Sequence, residues 1–351
     1  MNREIYSAMD ANINRGIEGI RVCEDVFRFG VKNMISAEFK NLRHKITELI
    51  TLIPSGILLG ARDVQNDEQK FINTGSEMKR AGIDDIFRSN IRRAIEAARV
   101  IEEFSKNVYP GIAVGFQEIR FSLYDLEKRG WLILEKSQIM DRFNRSLYAI
   151  IDSAFVPYDE MEETARILAG SGADIIQLRM KGLPDKDYLS MSGKISCICR
   201  DNNIIFIVND RADIAVLSNA HGLHLGQDDI PLAMADSLTG GRLITGISTC
   251  SVAEAAAAED ADYIAVGPVF ATSSKDGTLL DGVGIEVVRK ICHSTSRPVA
   301  AIGGVDSINV ELLLDAGVTS FSVISALFRN GKIAENTMAL KEKIRSSRGV
   351  K

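Results

Sequence analysis

The segment Ile204–Pro231, IIFIVNDRADIAVLSNAHGLHLGQDDIP, constrains the fold more than any other stretch. Two short apolar runs lie in it, one ending in Asn209-Asp210 and the other in Gly226-Gln227-Asp228-Asp229, with helix-compatible residues between them. Apolar strand, crossover, apolar strand is a βαβ pattern. In a closed barrel of such units the C-terminal strand ends face the active site, so polar residues at two successive ends mark a candidate site.

The same rhythm runs through the second half of the chain. Strands are predicted at Leu147–Ile151, Ile175–Leu178, Ile204–Val208, Gly222–Leu225, Leu243–Ile247, Tyr263–Val266, Val299–Ile302 and Ser320–Val323, alternating with helices. Eight such units describe a (β/α)8 TIM barrel over residues 144–351, with an open doubly wound sheet as the alternative. Residues 1–143 hold few strand candidates and read as an all-α helical domain. Its helices are expected at Asp10–Phe29, Ser36–Leu52, Ile83–Lys106, Phe116–Lys128 and Leu134–Asn144, with Pro54-Ser55-Gly56 and Arg129-Gly130 as breaks. Within it Asn12, Arg15, Glu18, Arg21 and Glu24 recur as Asn90, Arg93, Glu96, Arg99 and Glu102. Two such helices can pack as a pseudo-symmetric pair. The repeated Arg and Glu then form either inter-helix salt bridges or an anion or cofactor site.

The 351 residues, 46% hydrophobic and 25% charged, suffice for two domains. A net charge of -5 argues against wholesale nucleic-acid binding while allowing a local phosphate pocket. The five cysteines are dispersed and odd in number, which points to a reducing cytoplasm; Cys197, Cys199, Cys292 and His293 make only an incomplete zinc set. No long uncharged apolar run or signal-peptide core is expected to engage a membrane. A homo-oligomer is compatible with the sequence.

At the strand ends, Gln177, Arg179 and Lys181 alternate within Gln177-Leu178-Arg179-Met180-Lys181 and present an amide and two cations to one side. Arg clamps phosphate oxygens bidentately and Lys adds a compact charge. Asp210 and Asp229 are the natural pair for Mg2+, with helix capping as their rival role. His224 lies within a strand and reads as a packed histidine, and His221 as loop surface. Ser248-Thr249-Cys250-Ser251 opens a helix and suits either phosphate binding or capping. The loop Gly267–Gly284 holds Thr272, Ser273, Ser274 and Lys275 and reads as a mobile lid with phosphate ligands. Gly303-Gly304 and Ile324-Ser325 form the phosphate cradle expected after the last two strands.

These segments together resemble the thiamine-phosphate synthase family. QLRMK (177–181), VNDRADIA (208–215), GLHLGQDD (222–229), GISTCS (246–251), VGPVFATSSK (266–275), AIGGV (301–305) and VISAL (323–327) occur in order, over about residues 146–328. The helical half is similar to an extension found on some members. The resemblance implies a cytoplasmic transferase that couples 4-amino-2-methyl-5-(diphosphooxymethyl)pyrimidine to a thiazole-ethyl phosphate, plain or carboxylated, releasing pyrophosphate. It implies that Gln177, Leu178, Arg179, Met180, Lys181, Asn209, Ser248 and Lys275 hold the pyrimidine diphosphate, with Arg179, Lys181, Ser248 and Lys275 catalytic. Asp210 and Asp229 would ligate Mg2+. Thr272, Ser273, Ser274, Gly304, Ile324 and Ser325 would hold the thiazole phosphate. Cys250 stands where a histidine is frequent in the family. Related thiazole tautomerases use a histidine in that region, so its absence weighs against the tautomerase alternative. A precursor-binding regulator without catalysis is the third reading.

Overall fold

The computed structural model describes residues 2–62, 80–273 and 279–347. The chain divides into two compact units, Met1–Ser137 and Gln138–Lys351.

The first unit is helical: α1 (Asn2–Asp25), α2 (Ile35–Ile50), α3 (Ser55–Ala61), α4 (Ile83–Ser105) and α5 (Pro110–Asp141), with a π-helical turn Val26–Val31 after α1. Phe27, Phe39 and Phe87 meet at its centre, with ring centroids 5.1–6.2 Å apart. One predicted break is present and one is absent. α2 stops at Ile50, short of Pro54, and Pro54 then precedes the separate helix α3. Arg129-Gly130 lies inside the single helix α5, where the sequence suggested two helices. Gly130 is small because it packs: a Cβ there would stand 2.7 Å from Phe87 and 2.9 Å from Phe27. A glycine lowers helix propensity, but the aromatic rings filling its notch outweigh that cost.

The internal repeat is larger than the sequence comparison suggested. Asn12 and Asn90 each donate to the carbonyl four residues earlier, both at 2.8 Å. The second helices also correspond, Ile35, Phe39, Leu42 and Arg43 of α2 matching Ile112, Phe116, Ile119 and Arg120 of α5. The repeated unit is a helical hairpin. Its buried Glu24 meets Arg21 at 3.4 Å and Arg43 at 3.1 Å. Buried Glu102 meets Arg99 at 2.7 Å and Arg120 at 2.8 Å. Arg15, Glu18, Arg93 and Glu96 are exposed, because residues three apart drift round a helix by roughly 60° per step. Salt bridging is thus the observed use of Glu24 and Glu102.

The second unit is a closed barrel of eight parallel strands: β1 (Ser146–Asp152), β2 (Ile175–Arg179), β3 (Ile205–Asn209), β4 (Gly222–Leu225), β5 (Ile244–Thr249), β6 (Tyr263–Val266), β9 (Val299–Ile302) and β10 (Ser320–Val323). A two-stranded ribbon, β7 (Thr272–Ser273) and β8 (Leu279–Leu280), interrupts the loop after β6. The covering helices are α6 (Met161–Gly170), α7 (Asp185–Asp201), α8 (Ala212–Leu217), α9 (Leu232–Thr239), α10 (Val252–Ala257), α11 (Ile285–Ser294), α12 (Val310–Asp315), α13 (Ser325–Phe328) and α14 (Ile333–Ser346).

Alternation along each strand divides the side chains. Leu147, Ala149, Ile176, Leu178, Phe206, Val208, Leu223 and Leu225 join the layer between strands and helices. Tyr148, Ile150, Ile175, Ile205, Ile207, Ile244 and Tyr263 fill the lumen, with Phe143 packed among them. Among the described residues, no helix is long and apolar enough to cross a membrane.

Candidate active site

Above the lumenal plug lies a cavity of about 170 Å3 lined by Tyr148, Gln177, Arg179, Asn209, His224 and Ser248, closed opposite by Ile302, Ser322 and Ile324. The inward positions of successive strands supply these groups. The sequence-predicted Gln177, Arg179, Asn209, Ser248 and Ile324 therefore converge. Leu178 and Met180 do not: both side chains are buried in the layer facing the helices, so only their main chain faces the site. Strand alternation explains this, since neighbours of inward residues must point outward.

Charge collects at the rim. Arg179 pairs with Asp152 at 3.1 Å and Lys181 with Asp210 at 3.1 Å. Asp152 was missed by the sequence reading. It ends β1 on the inward face, beside Arg179 in register, and the strand-end rule applied to β3 would have found it. Burial pushes its carboxyl above the usual range, opposed by the Ala154 amide and Arg179.

Asp210 and Asp229 approach within hydrogen-bonding reach of each other. Burial, and then the neighbouring Asp229 carboxyl, push Asp210 up, against the pull of Lys181. Neither aspartate caps a helix. Arg211 and Pro231 occupy the N-cap positions of α8 and α9, and neither makes a side-chain cap. Asp229 accepts the Gly226 N–H at 2.6 Å instead. Asp210 takes a left-handed φ of 63°, which costs a non-glycine residue about 1–2 kcal/mol, and its N–H donates to the His224 carbonyl at 2.8 Å. A strained backbone that brings two carboxylates together fits a divalent cation. Two carboxylates are hard oxygen donors of the kind that would suit Mg2+. The described residues contain no cluster of three or more His, Cys, Asp or Glu that would hold a metal unaided.

Below the rim the polar groups form one chain. Gln177 Nε2 donates to Tyr148 OH at 2.6 Å, and Tyr148 OH lies 3.0 Å from Tyr263 OH. His224 Nδ1 lies 2.9 Å from Tyr263 OH, and its Nε2 is 2.9 Å from Ser248 Oγ. Burial lowers the His224 pKa to about 4 and raises those of both tyrosines, so all three are neutral at working pH. His224 is packed, as expected, and also bonded at both nitrogens. His221 is half-buried rather than loop surface, with Nδ1 accepting the Phe206 N–H at 3.0 Å.

Of the GISTCS hydroxyls, Ser248 faces the cavity, whereas Ser251 caps α10 by accepting the Glu254 N–H at 3.2 Å. Cys250 is exposed, and its thiol donates to Glu254 at 3.1 Å. Across the mouth, Gly303 and Gly304 have φ of 91° and 70°. A Cβ at Gly304 would lie 2.8 Å from Phe270, so glycine is required by conformation and by space. Ile324 precedes α13 and Ser325 begins it. Thr272 and Ser273 lie on the ribbon; Ser274 and Lys275 fall outside the described residues.

Comparison with known proteins decides the family. Residues 147–327 match the family model described as thiamine monophosphate synthase. A thiamine-phosphate synthase of Gloeobacter violaceus is 37% identical over 326 residues, covering 92% of both chains. The chain belongs to the thiamine-phosphate synthase family. One from Nostoc punctiforme is 34% identical over 328 residues, 93% of this chain and 90% of that one. The solved thiamine phosphate pyrophosphorylase from Pyrococcus furiosus superposes with a TM-score of 0.54 at 33% identity, covering 59% of this chain and 99% of that chain. Residues 7–129 separately match the ThiD2 family. Family membership makes the chain an enzyme of the transferase type. The Pyrococcus chain is matched by only part of this one, while the curated relatives match along nearly all of it, so the helical unit accompanies the barrel in some relatives.

Proposed function

We propose that the barrel condenses 4-amino-2-methyl-5-(diphosphooxymethyl)pyrimidine with a thiazole-ethyl phosphate, releasing pyrophosphate and forming thiamine phosphate. One observation carries the reading: two cations and two mutually close carboxylates stand on the rim of a small, mostly neutral cavity. That layout separates a diphosphate from the uncharged ring that bears it.

Gln177, Asn209 and Ser248 hold the pyrimidine in the cavity. Arg179 and Lys181 bind the diphosphate oxygens, and Lys275 is assigned the same work by family resemblance. Asp210 and Asp229 would hold Mg2+, which when bound neutralises charge on the leaving pyrophosphate. As the C–O bond breaks, the aminopyrimidine stabilises a methylene cation and the neutral thiazole nitrogen attacks it, so no protein nucleophile is needed. The protein contributes alignment and water exclusion, because water would trap the cation. The lumenal plug of Tyr148, Ile150 and Tyr263 closes the cavity floor to solvent. Backbone at Gly304 and Ile324, with Ser325 and the Thr272–Ser274 loop, is assigned to the thiazole phosphate. The cationic and glycine-lined rims thus suit two different anionic groups.

Incubating the protein with both phosphorylated precursors and Mg2+ should release pyrophosphate, with omission of either precursor abolishing it. Turnover of the thiazole phosphate alone would point to a tautomerase and sink the synthase reading. Parallel reactions with plain and carboxylated thiazole phosphates would show which is preferred.

A further inference from the structure

The chain Gln177–Tyr148–Tyr263–His224–Ser248 crosses the barrel lumen beneath the cavity, and both of its ends line that cavity. Its three middle members are buried. Each hydroxyl has one proton to give, and a buried proton without an acceptor is costly. These facts allow two opposite directions, and the Gln177 amide, with Nε2 toward Tyr148, selects one. Gln177 donates to Tyr148, so Tyr148 donates onward to Tyr263, and Tyr263 donates to His224 Nδ1. A neutral ring accepting at Nδ1 carries its proton on Nε2 and donates to Ser248. A cationic ring would donate at both nitrogens and strand a tyrosine proton. What remains for the cavity is the Gln177 carbonyl oxygen at one end and the Ser248 O–H at the other.

We propose that Tyr148, Tyr263 and His224 are positioning residues forming a one-directional hydrogen-bond wire, which sets Gln177 as acceptor and Ser248 as donor and so selects a heterocycle presenting one donor and one acceptor. The inference rests on the cavity holding the pyrimidine. An exocyclic amine donates to Gln177 while a ring nitrogen accepts from Ser248. A free glutamine amide turns over easily and meets either an acceptor or a donor. Here it cannot turn without reversing two phenols, an imidazole tautomer and a serine together. The rings are held for this purpose. Tyr263 packs on Phe143 with centroids 4.8 Å apart and stacks on His224 at 5.6 Å. Gly246 leaves it room, since a Cβ there would lie 2.0 Å from the Tyr263 ring.

Two measurements test the wire. In the full-length, ligand-free protein, 15N spectra of the histidines should show His224 protonated at Nε2 and bare at Nδ1; a proton on Nδ1 would overturn the direction. This arm needs no substrate. The second arm compares the 4-aminopyrimidine diphosphate with its 4-methoxy counterpart, which offers acceptors only. Tyr263→Phe keeps both ends and the ring but removes the middle link. The preference in kcat/KM for the amino substrate should fall about tenfold, through the pyrimidine KM, with the KM for the thiazole phosphate unchanged. Tyr148→Phe should lower it similarly by releasing the Gln177 amide. Unchanged preference in both folded variants would overturn the proposal. Failure of the unmodified enzyme to turn over the amino substrate would strike the functional reading instead, leaving the tautomer result to judge the wire.

Discussion

The helical unit and the barrel rim both gather Arg, Asp and Glu side chains, and they handle them in opposite ways. In the helical unit each buried glutamate is met by two arginines, Glu24 by Arg21 and Arg43, Glu102 by Arg99 and Arg120. The charges answer one another and nothing further is demanded. At the rim, Arg179 and Lys181 have carboxylate partners too, but Asp210 is also driven against Asp229 on a strained backbone. Like charges brought together in a partly dry place need a cation, a proton or a substrate to settle them. The internally balanced network is architecture, and the unbalanced one is what the proposed site rests on.

The largest effect expected from that contrast is on turnover. Asp210→Asn or Asp229→Asn should lower kcat by about 10²–10³ while the thermal unfolding midpoint hardly falls. The amide keeps an acceptor for the local backbone and tolerates the left-handed φ, while the repulsion is relieved. Chelating Mg2+ with EDTA should abolish pyrophosphate release, and adding Mg2+ back should restore it. A large loss of stability with unimpaired kcat in the aspartate variants would place these residues with the helical network instead.

Next in size is a pH effect from His224, a buried group that is polar but uncharged. Its folded pKa is lowered to about 4 from an ordinary 6.5. The unfolded chain therefore takes up the proton first. Stability from this group is complete above about pH 6.5 and is lost as pH falls toward 4, by about 3 kcal/mol in total. Urea unfolding of the unmodified protein should show that decline, and His224→Gln should flatten it. Parallel declines in the two proteins would assign the acid sensitivity elsewhere.

Legibility in the sequence followed the same divide. Eight strands were readable because β-period alternation repeats, and Gly222–Leu225, Tyr263–Val266, Val299–Ile302 and Ser320–Val323 stand where the pattern put them. Rim charges were readable because they end strands. Asp152 ends one as well, but a lone acid after Ile150-Ile151 looked like the close of an ordinary strand. Gly130 misled because a glycine next to a charge reads as a break unless the rings filling its notch are known. The wire was invisible because Tyr148, Gln177, His224, Tyr263 and Ser248 lie on five strands, and no spacing along the chain reports their register. Leu178 and Met180 came with the QLRMK motif, which does not distinguish the two faces of a strand.

A smaller effect belongs to the helical unit. Glu102→Gln keeps the shape but leaves Arg120, with 14% of its side chain exposed, without its countercharge. A loss of about 2 kcal/mol is expected, below the value for a fully buried pair. Glu24→Gln should cost nearly the same, since the hairpin repeat gives it a matching pair of arginines. Urea midpoints of the two variants measure this. A large difference between them would mean the repeat in sequence is not a repeat in energy.

The smallest effect is the sharpest test of what separates the two kinds of network. Arg129 grips Glu38 through both of its terminal nitrogens, the Nη1 contact being 2.7 Å, a geometry as good as any around Glu102. Yet Arg129 and Glu38 are 43% and 46% exposed. Water screens them, and two long side chains lose freedom in meeting, so Glu38→Gln should cost about 0.5 kcal/mol or less and nothing measurable in high salt. The same chemical groups at similar distances would then differ severalfold in worth between Glu38 and Glu102. Burial would be the cause, since geometry is nearly held constant. Equal losses at the two positions would remove burial as the explanation, and with it the reason for reading the crowded carboxylates at Asp210 and Asp229 as a place that calls for a ligand.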